Sequence, residues 1–299
     1  MPLSPTRLPR RRSVALAATA LALVGTAARA PQDATPAPAP AASAGSASPA
    51  CSKDALPLTT PGTFTVGTDK PAYEPWFSDD DPTNGKGYES AVTYAVAEQL
   101  GFARTDVTWI TVPFTNAYAP GAKKFDVDVN QVSITEPRRK AVDFSSGYYD
   151  VAQAVVTDKS SPIAGATTLA ALKGAKLGAQ VGTTSYTAIT DQIQPEKKPA
   201  PYDTNDLAVQ ALKNGQIDGI VVDLPTAFYM AAAQLDDGKI VGQLPPGSGQ
   251  ADSFGFVLGK GSALTSCVTT AVDALKADGT LEKIEGQYLS NSGGAPLLQ

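Results

Sequence analysis

From about residue 60 onward, short strand patterns alternate with amphipathic helix patterns along the chain. The strand patterns occupy residues 64–67, 107–112, 126–131, 153–157, 176–180, 219–223, 239–243 and 254–258. The helix patterns repeat apolar residues every three or four positions, as in the stripe from Leu264 to Leu275. Such alternation is typical of α/β layers with largely parallel sheets, so the sequence predicts an α/β fold.

The first 30 residues have the pattern of an export signal. They hold five arginines, no acidic residue, and an apolar run at 14–28 that is too short to span a membrane. Residues 31–59 begin as an Ala/Pro/Ser-rich tether that lacks the large apolar side chains needed for a core. We therefore expect secretion to the extracellular face of the cell envelope. Sec and twin-arginine export both stay open, as does the means of retention there, since no cysteine directly follows the apolar run.

The net charge limits the class of partner. The formal charge of the whole chain is −5, and loss of the five leader arginines would make it −10. An acidic mature chain of this kind argues against nucleic acid or anionic lipid as a partner. It does not argue against a small anion, because local geometry outweighs net charge at a binding site.

The chain has two cysteines, Cys51 and Cys267. An isolated pair in an exported protein predicts a disulfide bond. Closing so long a loop would contribute roughly 5 kcal/mol of stability as an upper figure. The alternative is that Cys51 serves as a lipid attachment point.

A cationic helix start lies in residues 135–140. Thr135 suits an N-cap and Pro137 suits the first turn, but Arg138, Arg139 and Lys140 occupy the same turn. The helix dipole disfavours cations there by roughly 0.3–1 kcal/mol. Free amides beside a guanidinium instead predict a site for a small anion such as a carboxylate.

Nine short motifs occur in an order that resembles a known family. They are Val-Gly-Thr-Asp at 66–69, Tyr-Glu-Pro-Trp at 73–76, Gly-Lys-Gly-Tyr-Glu-Ser at 85–90, Ser-Ile-Thr-Glu-Pro-Arg at 133–138, Val-Asp-Phe-Ser at 142–145, Tyr-Tyr at 148–149, Gly-Thr-Thr-Ser at 182–185, Val-Asp-Leu-Pro at 222–225 and Leu-Lys-Ala-Asp-Gly-Thr at 275–280. From about 60 to 290 the chain resembles the family 3 extracellular solute-binding proteins, the polar amino acid receptors of ABC importers. The segment 130–135 is similar to an actinobacterial-type branch.

The resemblance implies a periplasmic-binding-protein-like type II fold with two Rossmann-like lobes joined by two crossover strands. Lobe 1 would comprise residues 60–151 plus 252–299, and lobe 2 would comprise residues 152–251. A free polar amino acid would bind in the cleft between the lobes, which would close on it by hinge motion. The implied partner is the membrane permease of an ABC transporter, and the receptor itself would be a monomer.

The resemblance also assigns the two ends of the ligand. Arg138 would hold the α-carboxylate from lobe 1, with Ser133 beside it. Thr183 and Thr184 would grip the same carboxylate from lobe 2, at a strand-to-helix turn that presents free amides. Asp223 would bind the α-ammonium group. The alternatives are strand-end capping for Ser133 and helix capping for the threonines and for Asp223.

Six further residues are candidates for contact with the ligand side chain. They are the aromatic residues Tyr73, Trp76 and Phe114 and the polar residues Asp69, Asn130 and Gln180. Aromatic faces pack on aliphatic stems and attract cations, although packing in the core is the competing interpretation. Asp69 would favour a cationic side chain or hold a turn, whereas Gln180 suits a neutral or hydrogen-bonding group.

Enzymatic catalysis is not expected. The chain has no histidine, and its two cysteines are predicted to be paired, so the usual nucleophilic triads are absent. No phosphate-binding loop or metal-spaced carboxylate cluster occurs, and we expect no cofactor and no metal. Two alternatives stay open: a ligand-sensing module that signals to a partner other than a transporter, and a dehydratase-like enzyme on the same fold.

Overall fold

The structure is a computed structural model, and it describes residues 51–247, 252–290 and 294–299. The predicted signal at 1–30 and the tether up to residue 50 lie outside the described residues. Among the described residues, no helix has both the length and the apolarity needed to cross a membrane.

Twelve strands are present in the described residues. They are β1 (Phe64–Thr68), β2 (Val107–Thr111), β3 (Val127–Asp128), β4 (Val142–Phe144), β5 (Tyr149–Val151), β6 (Gln153–Asp158), β7 (Leu177–Gln180), β8 (Ala200–Tyr202), β9 (Gly219–Asp223), β10 (Gly238–Gln243), β11 (Asp252–Phe254) and β12 (Val257–Gly259). Each of the eight strand patterns in the sequence overlaps one of these strands.

The described residues also contain eight α-helices. They are α1 (Tyr88–Gln99), α2 (Phe114–Ala117), α3 (Glu136–Arg139), α4 (Thr184–Ala188), α5 (Asn205–Lys213), α6 (Leu224–Tyr229), α7 (Thr265–Ala277) and α8 (Thr280–Tyr288). The stripe predicted from Leu264 to Leu275 is the buried face of α7. Gly279 separates α7 from α8 in the left-handed conformation that glycine adopts without strain.

The strands form two five-stranded sheets. The first sheet has the order β2-β1-β3-β12-β4, and the second has the order β10-β6-β9-β7-β8. In the first sheet β1 pairs in parallel with β2 and β3, and in the second β7 pairs in parallel with β8 and β9. Each sheet is covered by buried apolar side chains from the helices that connect its strands.

In each sheet four strands run in one direction and one strand runs against them, so the sheets are largely parallel, as predicted. β12 runs antiparallel to β3 and β4, and β6 runs antiparallel to β9 and β10. β6 and β12 are the first strands after the chain passes from one sheet to the other. A crossover helix between two strands of one sheet makes those strands parallel. No such helix precedes β6 or β12 on its own sheet.

Two chain passages connect the sheets. β5 lies between β4 and β6 in the chain, and β11 lies between β10 and β12; the two pair antiparallel, with Asp252 opposite Val151. They agree with the two predicted crossovers. The exact lobe boundaries stay predictions.

The last six residues pack on the second sheet, although the predicted boundaries assigned them to lobe 1. Leu298 is buried in an apolar cluster with residues of β6, β7 and β9. Gln243 of β10 donates its backbone N–H to the Pro296 carbonyl at 2.7 Å and accepts from Leu298 N at 2.8 Å. The apolar Leu298 side chain and these backbone bonds explain why the chain returns to this sheet.

The predicted disulfide is present. Cys51 and Cys267 are bonded, with their Cα atoms 5.3 Å apart, and the bond ties the start of the described chain to α7. Both sulfur atoms are used in this bond, which leaves Cys51 without a thiol for the alternative role in lipid attachment.

Candidate ligand-binding site

A cavity lies between the two sheets, at the ends of β1, β3, β7 and β9. It encloses about 540 Å³ of space between protein atoms, part of it open to solvent. Its lining consists of Asp69, Tyr73, Phe114, Asn130, Gln131, Ser133, Arg138, Gln180, Thr183, Thr184, Ser185, Asn205, Val221, Val222, Asp223 and Thr226. Ten of the eleven residues predicted for the site are in this lining. Trp76 is the exception.

Arg138 is buried in the wall of the cavity, in contrast to its two cationic neighbours. The Arg138 residue is 8% exposed, whereas the Arg139 side chain is 45% exposed and Lys140 is also exposed. Thr135 caps α3 as predicted, with its hydroxyl accepting from Arg138 N at 3.3 Å. The guanidinium donates from Nη1 to the Ser133 carbonyl at 2.7 Å. Burial lowers the pKa of Arg138, and a bound anion would oppose that shift.

Thr183 and Thr184 lie at the turn from β7 into α4 and have different roles. Thr183 caps the helix: its hydroxyl accepts from Tyr186 N at 3.1 Å and donates to the Gln180 carbonyl at 2.7 Å. The Thr184 hydroxyl lies 3.1 Å from the Ser133 hydroxyl of the other sheet. The predicted alternative of helix capping is therefore present for Thr183.

Asp223 lies at the end of β9, directly before α6, but its side chain does not cap that helix. Its Oδ1 accepts a hydrogen bond from Gln153 Nε2 at 2.7 Å, and Gln153 Oε1 accepts from Ser185 Oγ at 2.5 Å. The pKa of Asp223 is raised to about 7, mainly by burial and to a smaller extent by Asp252, while the Gln153 bond and the charge of Arg138 act against this rise. The carboxylate is thus held in place at some electrostatic cost, as expected of a site for a cation.

Asp69 holds a turn and also lines the cavity, and its preference for a cationic side chain stays a prediction. Its Oδ1 accepts from Lys70 N at 2.7 Å, and its Oδ2 accepts from Phe114 N at 3.1 Å. The second bond fixes the start of α2 and the position of the Phe114 ring in the wall. Burial raises the pKa of Asp69, and the two backbone bonds act against this rise.

Trp76 does not line the cavity, and this corrects the prediction that placed it among the pocket aromatics. The side chain is completely buried, with edge-on contacts to Tyr88, Tyr149 and Phe254. Its Nε1 donates to Thr226 Oγ1 at 2.9 Å, and Thr226 does line the cavity. Large apolar area explains its place in the core, and the indole N–H finds a partner as buried tryptophans do.

Several lining residues were not predicted from the sequence. Ser185, Asn205 and Thr226 belong to the first turns of α4, α5 and α6, where polar residues are common for capping and carry no distinct signal. Gln153 supports Asp223 from a position 70 residues away in the chain. Such a contact exists only because β6 and β9 are paired.

Gln131 is held at the cavity by a buried acid. Its φ is +48°, an unusual value for a residue other than glycine. Glu89 accepts from Gln131 N at 2.7 Å, and it also accepts from the Gln131 side-chain amide and the Tyr148 hydroxyl. Burial raises the pKa of Glu89 to about 7, while these hydrogen bonds act against the rise.

Comparison with known proteins agrees with this geometry. Residues 64–291 match the family described as bacterial extracellular solute-binding proteins, family 3. The chain belongs to this family. The ABC transporter arginine-binding protein 1 of Escherichia coli (strain K12) is 34% identical over 171 residues, which is 56% of this chain and 67% of that protein.

Two further comparisons extend over more of the chain. The lysine/arginine/ornithine-binding periplasmic protein of Escherichia coli (strain K12) is 27% identical over 244 residues, covering 76% of this chain and 88% of that protein. A solved ancestral arginine-binding protein bound to glutamine has a TM-score of 0.64 at 30% identity, covering 77% of this chain and 98% of that one. This likeness and the two open sheets confirm the predicted type II fold.

Proposed function

We propose that this protein binds a free polar amino acid in the cavity between its sheets and delivers it to the membrane permease of an ABC importer. The observation that carries the proposal is the pairing of opposite charges in the lining. Arg138 is buried on the first-sheet side, and Asp223 is held on the second-sheet side. A zwitterionic amino acid main chain is complementary to this pair.

The carboxylate end is supported by donors from both sides. Arg138 has guanidinium N–H groups beyond the two that bind protein carbonyls, since the group carries five. The hydroxyls of Ser133 and Thr184 lie beside it, 3.1 Å apart. One ligand group bound by both sheets would link binding to closure of the cleft.

The side-chain end of the proposed ligand is cationic. Among the described residues, the charged side chains in the lining are Asp69, Arg138 and Asp223. An amino acid main chain neutralises Arg138 and Asp223 and leaves Asp69 without a counter-charge. Tyr73 and Phe114 line the space between, and such rings pack well on a cationic alkyl stem. Relatives named for arginine, lysine and ornithine are consistent with this charge balance.

A thermal-shift screen of the common amino acids, ornithine and citrulline, followed by calorimetry of each hit, tests the proposal. Basic amino acids are expected to stabilise the protein most, by mass action on the bound state. Arg138→Ala and Asp223→Ala are each expected to weaken binding at least about tenfold, because each removes a charge-assisted hydrogen bond of about 1.5–3 kcal/mol. Arg139→Ala is the matched control, an exposed arginine one residue away.

The variant Asp69→Asn tests the cationic ligand side chain separately from amino acid binding itself. It is expected to weaken binding of arginine or ornithine while leaving binding of glutamine nearly unchanged. Preferred binding of glutamine by the wild-type protein would refute the cationic side chain and leave amino acid binding standing. Absence of any amino acid hit, or wild-type affinity in Arg138→Ala, would refute the site.

The proposal includes that the protein is not an enzyme, acts as a monomer, and works outside the cytoplasmic membrane. Its support is the family assignment together with the export pattern at 1–30. Ligand recovered chemically unchanged after long incubation is the expected outcome. A converted product would favour the dehydratase-like alternative.

A further inference from the structure

Tyr118 and Arg138 meet at one backbone oxygen on the opposite side of the cleft. The Tyr118 hydroxyl donates to the carbonyl of Gly182 at 3.1 Å, and Arg138 Nη2 donates to the same oxygen at 2.9 Å. The guanidinium carbon lies 4.5 Å from the centre of the Tyr118 ring. Tyr118 and Arg138 are connected to the first sheet, whereas Gly182 follows β7 of the second. We call these three residues the latch.

The latch requires glycine at position 182, because glycine has no side chain. The φ of Gly182 is +77°, a left-handed conformation that favours glycine. A Cβ atom built on Gly182 would lie 2.4 Å from the Tyr118 hydroxyl oxygen. The Tyr118 hydroxyl therefore occupies the space that a larger residue at 182 would fill. Close approach of the two sides of the cleft depends on this missing side chain.

The latch leaves enough donors on Arg138 for the ligand, and its other two residues are not assigned to ligand binding. Tyr118 is not in the cavity lining, and Gly182 contributes only its carbonyl to the contact. Arg138 binds the Ser133 carbonyl through Nη1 and the Gly182 carbonyl through Nη2, and its remaining N–H groups suffice for a carboxylate. The three partners are all protein atoms, so their contacts can form without a ligand.

We propose that Tyr118 is a positioning residue for closure: with Arg138 it holds the Gly182 carbonyl, so that the protein populates the closed cleft before any ligand binds. This goes beyond the proposed function, because the latch needs no amino acid. Its consequence for binding is quantitative. Apparent affinity is the intrinsic affinity multiplied by the fraction of molecules in the competent state, so loss of the latch weakens every ligand by the same factor.

Tyr118→Phe tests the latch, because it deletes the hydroxyl and keeps the ring under the guanidinium. The readout is the ratio of closed to open molecules in the ligand-free full chain. Energy transfer between fluorophores placed by non-cysteine chemistry at Glu98 of α1 and Lys213 of α5, both exposed, reports this ratio. One net hydrogen bond predicts a fall of about two- to tenfold. Tyr186→Phe is the matched control, since its hydroxyl donates to Pro199 at 3.3 Å on the second-sheet side alone.

Gly182→Ala gives an independent second variant. The added methyl is expected to open the cleft in the wild-type background and to have less effect in the Tyr118→Phe background, where the clashing oxygen is gone. Such non-additivity is expected of residues in direct contact, whereas distant and independent sites are nearly additive.

An unchanged closed-to-open ratio in Tyr118→Phe would overturn the latch, even if ligand affinity fell, because the hydroxyl would then act on the ligand site alone. An equal fall in Tyr186→Phe would also overturn it. Neither measurement needs a ligand, so a negative result would overturn the latch without affecting the proposed amino acid binding.

Discussion

Three acidic side chains near the cavity have raised pKa values, and their hydrogen-bond partners differ. Glu89 accepts from Gln131 and Tyr148, and Asp223 accepts from Gln153. Asp128 is completely buried, and neither of its carboxylate oxygens has a hydrogen-bond partner among the described residues. A buried carboxyl with donors is typical of a functional or positioning group, whereas one without donors lowers stability.

Ligand affinity is expected to fall as the pH falls through about 7. The pKa of Asp223 in the protein is raised to about 7 by burial, and binding an ammonium group requires its ionised form. Below pH 7 each unit should therefore weaken binding by up to about tenfold. Calorimetry between pH 5.5 and 8 measures this slope.

Asp223→Asn should bind weakly at pH 8 and lose most of the slope. The chain has no histidine to titrate in this range, but Glu89, whose pKa is raised to about 7 by burial, also contributes to the slope. A wild-type affinity that stays constant from pH 5.5 to 8 would contradict the assignment of Asp223 as the ammonium partner.

Asp128→Asn is expected to stabilise the protein by about 1–3 kcal/mol at pH 7, because it removes an ionisable group from an apolar site. Burial raises the pKa of Asp128 well above its usual value. The folded state then keeps a proton that the unfolded state releases above about pH 4, so stability falls as pH rises from there. Urea unfolding at pH 5 and pH 8 should show a larger gain at pH 8.

Asp126→Asn is the matched comparison two residues away. Asp126 is also buried, but its oxygens accept from Thr59 N at 2.6 Å and Thr65 N at 2.7 Å. This variant should lose stability, because charge-assisted hydrogen bonds are weakened. Equal losses in the two variants would show that Asp128 has a stabilising partner.

At the scale of elements, the last six residues act as an added edge on β10. Gly242 permits their approach, since a Cβ on it would lie 2.6 Å from the Pro296 carbonyl oxygen. Leu169 N also donates to the Gln299 carbonyl at 2.9 Å, so the segment bridges β10 and the loop before β7. Its anchor is the side chain of Leu298.

Leu298→Ala is expected to lower the free energy of unfolding by about 2–4 kcal/mol, as large-to-small changes in a core do. Leu298 is 2% exposed, whereas the neighbouring Leu297 is 59% exposed. Leu297→Ala should therefore change stability by less than about 0.5 kcal/mol. Chemical unfolding of both variants measures the difference, and similar small effects would mean that the segment is not anchored.

At the scale of the whole molecule, the disulfide joins parts of the chain 216 residues apart. Cross-linking so long a loop restricts the unfolded chain. The double variant Cys51→Ser/Cys267→Ser is therefore expected to lose about 2–5 kcal/mol, and reduction of the wild-type protein should have the same effect. Thermal unfolding with and without reductant measures this loss. A reductant effect that persists in the double variant would assign the loss to something other than this bond.

Much of the fold was predictable because its signals are local. The α7 stripe and the Thr135 cap each follow from a few neighbouring residues. The reversal of one strand in each sheet was not predictable in this way. It depends on which strands follow a passage between sheets, and hydrophobic periodicity is the same in parallel and antiparallel strands.

The residues of the candidate site were predictable where a residue of suitable chemistry occupies a position of a family motif. The sequence distinguished Arg138 from Arg139 because only Arg138 belongs to the family motif at 133–138. In agreement, Arg138 is buried and Arg139 is exposed. Trp76 was wrongly predicted to line the cavity, because an aromatic residue in a loop gives the same sequence pattern whether it lies in a cavity wall or in the hydrophobic core. Tyr118 had no signal at all, since its partner is a backbone carbonyl 64 residues away.

By itself, the sequence determined the α/β class, the disulfide pair, the family motifs and most of the residues that line the cavity. These depend on composition, periodicity and short motifs, which are properties of the chain alone. Only the tertiary structure decided that Gln153 supports Asp223, that Asp128 is buried without a partner, and that Tyr118 and Arg138 share one oxygen. These depend on distances between segments far apart in the chain, which are set by how the two sheets pack.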